Sequence, residues 1–324
     1  MKKLSDIQEV AKGELQKFEP FFWRQLQSPS PLLSTITAHI YRSKGKQLRP
    51  LLVFLSAKLT GEVCQKTYVG AALVELLHTA TLIHDDVVDD ANERRNLLSV
   101  NALWNSKIAV LAGDFLLSRG MFVSLEHDAV DLLNITAKTI TALSEGELQQ
   151  MERARKLETS EADYFDIIRK KTATLIQCCT HIGAASVSAS AEQVEALRAY
   201  GEQLGIAFQL RDDVLDYHSG WLTGKASGND IREKKITLPL IYALQKVEKC
   251  EQKKVLSLVA CAKKKSRNVK QVVDFVTQHG GITYANSVTR SYCEAAKKSL
   301  DIFPESEVKA ALCSLADYVV EREK

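Results

Sequence analysis

Leu82-Ile83-His84-Asp85-Asp86-Val87-Val88-Asp89-Asp90 closes a stretch, residues 64–90, that is otherwise mostly Ala, Leu, Val and Ile. Read as one helix, Glu75, His78, Leu82, Asp85 and Asp89 recur every three or four residues and share a stripe, with Asp86 at its edge. The other faces are apolar, so the helix is buried nearly all round. A polar stripe on a buried helix has to face a wet or ligand-filled cavity. Asp85 and Asp89 are i, i+4 neighbours whose carboxylates can converge on one cation. Alone, such a cluster is as well read as a solvated acidic helix end, although a helix C-terminus disfavours acids.

A second cluster changes that balance. Phe208-Gln209-Leu210-Arg211-Asp212-Asp213-Val214-Leu215-Asp216 repeats the DDxxD pattern. Gly205, Gln209, Asp212 and Asp216 again share a helical face, between Leu204, Ile206, Ala207, Phe208, Leu210, Val214 and Leu215. Carboxylates are costly to bury unless paired or bound to a cation. Two clusters on buried helices therefore suggest two walls of one metal site. Mg²⁺ takes one or two protein carboxylates and fills its octahedron with water and phosphate oxygens, so such a site calls for an anionic substrate.

The surrounding chain reads as helix throughout. It has 324 residues, 45% hydrophobic and 26% charged, with only 15 Gly and 6 Pro, which disfavours turn-rich β architecture. Helical periodicity runs over about 4–27, 31–43, 48–60, 64–90, 97–120, 128–155, 160–188 and 191–217, and resumes near 236 after a Gly-rich break at 217–230. The expected fold is an all-α bundle in a single domain, 1–324. The net charge of +3 is too small to argue for nucleic acid or an anionic membrane surface. Seven cysteines without a CxxC pair read as reduced thiols of a cytoplasmic protein. No uninterrupted apolar run reaches membrane-spanning length, so no integral membrane segment is expected.

Cations sit where a diphosphate would need them. Lys46 and Arg49 lie in 44–50, Arg94 and Arg95 just past the first aspartates, Lys171-Thr172 in the 160–188 helix, and Lys225 and Lys235 at the long break. Each one singly reads as a surface residue. The GxxxxGK[ST] phosphate loop of nucleotide kinases is absent from the sequence. His84 beside Asp85 could suggest a metal phosphohydrolase pair, but the other His and Asp ligands of that chemistry do not follow in order.

The motifs GKQLRP at 45–50, ELLHTATLIHDDVVDDANERR at 75–95, RKKTATL at 169–175, GIAFQLRDDVLDY at 205–217 and GKASGNDIREKKITLP at 224–239 resemble those of the trans-isoprenyl diphosphate synthases, or polyprenyl synthetases. Order and spacing agree along nearly the whole chain. The resemblance implies an all-α isoprenoid synthase fold around a deep central cavity, normally a homodimer, that condenses isopentenyl diphosphate head-to-tail onto an allylic diphosphate. It implies Asp85, Asp86, Asp89, Asp212 and Asp216 as ligands of Mg²⁺, three ions per site, and Asp85, Asp86, Asp89, Lys171 and Asp212 as the catalytic set. It implies Lys46, Arg49, His78 and Arg95 for isopentenyl diphosphate, and Arg94, Lys171, Thr172, Gln209, Lys225 and Lys235 for the allylic diphosphate. Lys44, Asn96 and Lys234 stand where the family often has Gly, and none of these changes removes a ligand.

Product length is set by what lies one to two turns before Asp85. Short-chain relatives place bulky aromatics at the fourth or fifth position before the first aspartate. Here these are Thr81 and Ala80, with Leu77 below. The expected product is a long-chain all-trans polyprenyl diphosphate, octaprenyl-like, built on farnesyl diphosphate. A geranylgeranyl synthase is the alternative. A terpene cyclase would lack Lys46, Arg49 and His78, and a non-catalytic partner subunit would lose one aspartate cluster.

Overall fold

Pro31 at the first turn of Pro31–Arg42, behind a Ser30 cap whose Oγ accepts from Leu33 N–H, shows how local chemistry starts the helices of this chain. Ser160 and Asp163 form a reciprocal capping box that starts Glu161–Ile168. The structure, a computed structural model, describes residues 4–43, 45–94, 97–218 and 228–322. Within them helices dominate, and the strands are one two-residue pair, Glu93–Arg94 against Leu97–Leu98. The all-α expectation holds.

Most expected helices appear within a few residues of their bounds: Pro31–Arg42, Leu48–Thr60, Gln65–Val88, Val130–Lys156 and Ala191–His218. Three differ. The segment 4–27 is two helices, Leu4–Glu9 and Lys12–Gln25, joined by a turn in which Ala11 is fully buried. The segment 97–120 opens on the hairpin strand and a short helix, Val100–Trp104, before Ser106–Glu126. The segment 160–188 is interrupted by a π-helical turn, Arg169–Ala173. By length and composition alone Ser106–Glu126 is long and apolar enough to cross a bilayer, as core helices also can be. It carries Asp114 and Arg119, and its buried side packs on Gln65–Val88.

Gln65–Val88 is the first aspartate helix and Ala191–His218 the second. The first is wrapped by Leu48–Thr60, Ser106–Glu126 and Thr174–Ser186. Its Val69, Ala71, Ala72, Val74, Leu76 and Ala80 are fully buried, as the apolar pattern requires. The second aspartate helix spans both clusters of core side chains. Leu197, Tyr200, Leu204 and Ala207 belong to the larger one, and Ile206, Leu210, Val214 and Tyr217 to the other. Two rigid, buried helices thus carry the two acidic motifs.

Candidate active site

The π-helical turn brings Lys171 and Thr172 to the second aspartate helix. Two glycines allow the approach. A Cβ on Gly146 would lie 2.9 Å from the Lys171 amide nitrogen, and one on Gly205 would lie 2.5 Å from Ala173 Cα. Either side chain would push the turn away, so Gly205 serves backbone contact on the face it shares with Gln209 and Asp212. π-turns inside α-helices are frequent at functional sites.

Around this turn runs a chain of short hydrogen bonds. Thr172 Oγ1 donates to Gln209 Oε1 at 2.7 Å, Gln209 Nε2 donates to Asp213 Oδ1 at 2.7 Å, and Tyr164 Oη donates to Asp213 Oδ2 at 2.6 Å. Asp213 is 3% exposed, and burial pushes its carboxyl up, Asp230 adding to the effect. These residues, with Lys171, Asp230 and Lys235, line a cavity of about 230 Å³.

The same two lysines act on Asp89 of the first motif and on Asp230, whose backbone N–H is bound by Asp216 of the second. Burial raises the Asp89 carboxyl, and Lys235 and Lys171 act against that rise. Asp230 is pushed up to about 7 by burial and Asp216, again opposed by Lys235 and Lys171. Lys235, though partly desolvated, is held protonated by Glu233, Asp230 and Asp89. Asp89, Asp230 and both lysines are thus electrostatically linked, and Asp216 acts on Asp230. Lys171 pairs with Glu147, and Lys235 with Glu233.

The individual aspartates are used differently. Asp85 is half-buried and Asp89 exposed, on the side of the lysines. Asp86, expected at the edge of the stripe, is 3% exposed and lines a second, smaller cavity of about 60 Å³ with Glu75 and His78. Asp212 is ion-paired to Arg322, whose guanidinium also stacks on Phe208 at 3.8 Å and donates to the Phe208 carbonyl. Burial still leaves the Asp212 carboxyl raised. Asp216 accepts the backbone N–H groups of Asn229 and Asp230, at 3.1 Å each, and so caps Asn229–Arg232. Among the described residues no three His, Cys, Asp or Glu side chains already converge as a metal cage. The donor set nevertheless fits a hard divalent ion: carboxylates of raised proton affinity lack only a cation, and Mg²⁺ prefers few protein ligands and many others.

The remaining residues divide. Arg49 and His78 belong to the second cavity's side: the buried Cys179 thiol feels both Arg49 and Glu75, and His78 lines the cavity with Glu75. Lys46 is exposed and reaches the Tyr318 hydroxyl at 3.3 Å. Arg95 and Lys225 lie outside the described residues, as does the Arg94 side chain. Of the chain-length residues, Ala80 and Leu77 are 0% and 2% exposed and belong to the core cluster. At 100° per residue, Ala80 points about 140° away from Asp85 whereas Thr81 points about 40° away, and Thr81 is half-buried. His84 is structural: its Nε2 lies 3.1 Å from the Val110 carbonyl, its ring against Gly113. Sequence spacing alone does not point to Glu147, Tyr164, Asp230, Glu233 or Arg322. Only Tyr164 carries a usable signal, since a regular helical count from Lys171 puts it, seven residues earlier, on the same face.

A helical bundle that carries one aspartate motif on each of two core helices, the second lining a cavity with Lys171 and Lys235, defines the isoprenyl synthase class of all-α protein. The polyprenyl synthetase family model matches residues 30–276, and the chain belongs to that family. The octaprenyl diphosphate synthase of Haemophilus influenzae is 35% identical over 320 residues, 98% of this chain and 97% of that one. A decaprenyl diphosphate synthase from Rhodobacter capsulatus superposes with TM-score 0.92 at 32% identity, over 99% of this chain and 100% of its own. A polyprenyl synthase from Caulobacter crescentus, complexed with calcium and isoprenyl diphosphate, gives TM-score 0.92 at 32% identity, over 99% of this chain and 98% of its own.

Proposed function

We propose that this chain, as one domain, condenses isopentenyl diphosphate head-to-tail onto an allylic diphosphate, farnesyl diphosphate first, to give an all-trans long-chain polyprenyl diphosphate. The observation that carries this reading is that Lys171 and Lys235 act on Asp89 of the first motif and on Asp230, whose backbone N–H is bound by Asp216 of the second motif. One anion can then touch both walls. Asp85, Asp89, Asp212 and Asp216, with Asp86, would hold divalent cations, Mg²⁺ and three in number as the resemblance implies. Bound there, these ions neutralise charge that grows on the departing diphosphate.

The chain's own groups do the rest. Lys171 and Lys235 donate to the allylic diphosphate as its C–O bond breaks, so they bind the transition state better than the ground state. Gln209, fixed by Asp213, holds the Thr172 hydroxyl proton, which leaves the Thr172 lone pairs for the cavity. Lys46, Arg49 and His78 hold isopentenyl diphosphate so that its π bond attacks the allylic cation. The proton lost afterwards passes to the released diphosphate, so no protein nucleophile is required. Arg94, Arg95 and Lys225 complete the anion site by resemblance.

Thr81, small and on the Asp85 side of the helix, supports a long product over the geranylgeranyl alternative. A homodimer is supported by the outer face of Ser106–Glu126, where Leu111, Phe122 and Leu125 are 67%, 50% and 57% exposed. Exposed large apolar side chains grouped on one helix face mark a candidate interaction surface. Cytoplasmic location belongs to the same reading. Purified protein incubated with labelled isopentenyl diphosphate, farnesyl diphosphate and Mg²⁺ should give, on reversed-phase chromatography, products longer than geranylgeranyl diphosphate. No incorporation, or a cyclised hydrocarbon, would refute the assignment.

A further inference from the structure

The small net charge of this chain hides a strong local asymmetry. Residues 246–270 hold nine Lys and Arg against two Glu, a net of +7, which leaves −4 for the rest of a chain whose total is +3. The structure folds this stretch into Lys249–Ala260, a turn at Ala262–Lys264, and Ser266–Gln278, two helices packed side by side. Both turn valines inward: Val255 and Val259 on one, Val269, Val272, Val273 and Val276 on the other. The basic residues take the outside. Lys253, Lys254, Lys263, Lys265 and Arg267 are all exposed. Some lysines elsewhere pair with an acid three or four residues away, as Lys12 with Glu9, Lys156 with Glu152 and Lys297 with Glu294. Among the described residues, these five have no carboxylate within ion-pair distance.

This layer also underlies the second aspartate motif. The Ala262–Lys264 turn and Ser266–Gln278 pack against Asn229–Arg232, the short helix whose first amides bind Asp216. Gly228, just before it, lies so close to Val269 that a Cβ would come within 2.3 Å of Val269 Cγ1. The basic surface is therefore one short helix away from the site where a diphosphate would be made.

We propose that the 246–270 layer docks this protein on the anionic surface of a lipid bilayer. Exposed Lys and Arg clustered in one layer without ion-pair partners are what a negatively charged headgroup layer attracts, and about four to eight such residues suffice. The occupant follows from the product class, so the proposal rests in that respect on the reading above. A diphosphate carrying a long hydrocarbon chain partitions into a bilayer, and docking puts its site of synthesis beside the acceptor phase. Interfacial attachment through charge alone is reversible and salt-sensitive.

The test is vesicle flotation of the full chain, which needs no turnover and so fails independently of the enzymatic assignment. Vesicles of phosphatidylcholine with about 30% phosphatidylglycerol should carry the protein at least about tenfold more than phosphatidylcholine alone at low salt, and lose it at about 0.5 M salt. The K253E/K254E/K263E/K265E/R267E variant should float no better than on neutral vesicles, with unchanged helical signal and unchanged turnover in detergent micelles. Three results would overturn the proposal. The wild type fails to float on anionic vesicles; the variant floats as well as wild type; or the variant loses kcat/KM for soluble substrates without vesicles, which would make the layer a steering surface for free diphosphates. Tighter retention on duplex DNA than on anionic vesicles, lost in the variant, would reassign the surface to nucleic acid.

Discussion

Tyr164 donates its phenolic proton to Asp213 across 2.6 Å, and the two side chains are 4% and 3% exposed. The bond joins Glu161–Ile168 to the second aspartate helix and leaves Asp213 holding the amide of Gln209 in one orientation. The second Asp of this motif therefore serves as an anchor for the cavity wall. Hydrogen bonds to charged groups contribute about 1.5–3 kcal/mol, and a buried acceptor left short is costly.

Tyr164→Phe should lower the melting temperature and reduce kcat about tenfold with little change in KM, because Gln209 and Thr172 lose their fixed geometry. Asp213→Asn should act the same way without changing the Mg²⁺ requirement. Steady-state kinetics with thermal denaturation checks both. A change in Mg²⁺ half-saturation for Asp213→Asn would make Asp213 a ligand instead.

Arg322 occupies the position a cation should take beside Asp212. Arg322→Gln should weaken the metal-free protein by about 1–3 kcal/mol, since a half-buried carboxylate loses its partner. The same variant should reach half-maximal activity at several-fold lower Mg²⁺, because the guanidinium no longer competes for Asp212. Unchanged Mg²⁺ dependence would mean that Arg322 stays in place when the site is loaded.

Product length should respond to Thr81 more than to Ala80. Thr81→Phe puts a ring on the Asp85 side of the helix and should shorten the main product by one or more isoprene units on chromatography. Ala80 is fully buried in packed core, so Ala80→Phe should instead cost about 1–3 kcal/mol from overpacking. If Ala80→Phe shortens the product while stability holds, the growing chain runs along the other face.

The metal-free protein should lose stability as pH rises. Asp230 carries its carboxyl at about 7 against an ordinary 3.8, so the folded state keeps a proton that the unfolded chain has released. Its contribution is complete below about pH 4 and is lost progressively up to about pH 7. Asp89, Asp212 and Asp213 shift in the same direction. In excess chelator, Asp230→Asn should flatten the fall in melting temperature between these pH values. An unchanged slope would place the titration elsewhere.

The all-α fold is legible in the sequence because Gly and Pro are scarce and the 3.6-residue period persists from Gln65 to His218. The aspartate walls are legible because a carboxylate inside an apolar helix demands a cation or a hydrogen-bonding partner. The interruptions are hidden. A π-turn at Arg169–Ala173 leaves the sequence pattern almost unchanged, and its cause lies in Gly146 and Gly205, on neighbouring helices. Glu147 and Arg322 reach the site only through tertiary packing. Ala80, five residues before Asp85 and more than a full turn away, is fully buried, and counting back from the motif does not by itself give that burial.

The most direct test of the two-wall site is calorimetric titration of inorganic diphosphate, in the presence of Mg²⁺, into wild type, Asp85→Ala and Asp212→Ala. Both substitutions should reduce affinity at least about tenfold, and both should abolish prenyl transfer, because one anion is held from two helices. Full affinity in either variant would mean that the two aspartate helices do not act on the same diphosphate, and would contradict the account.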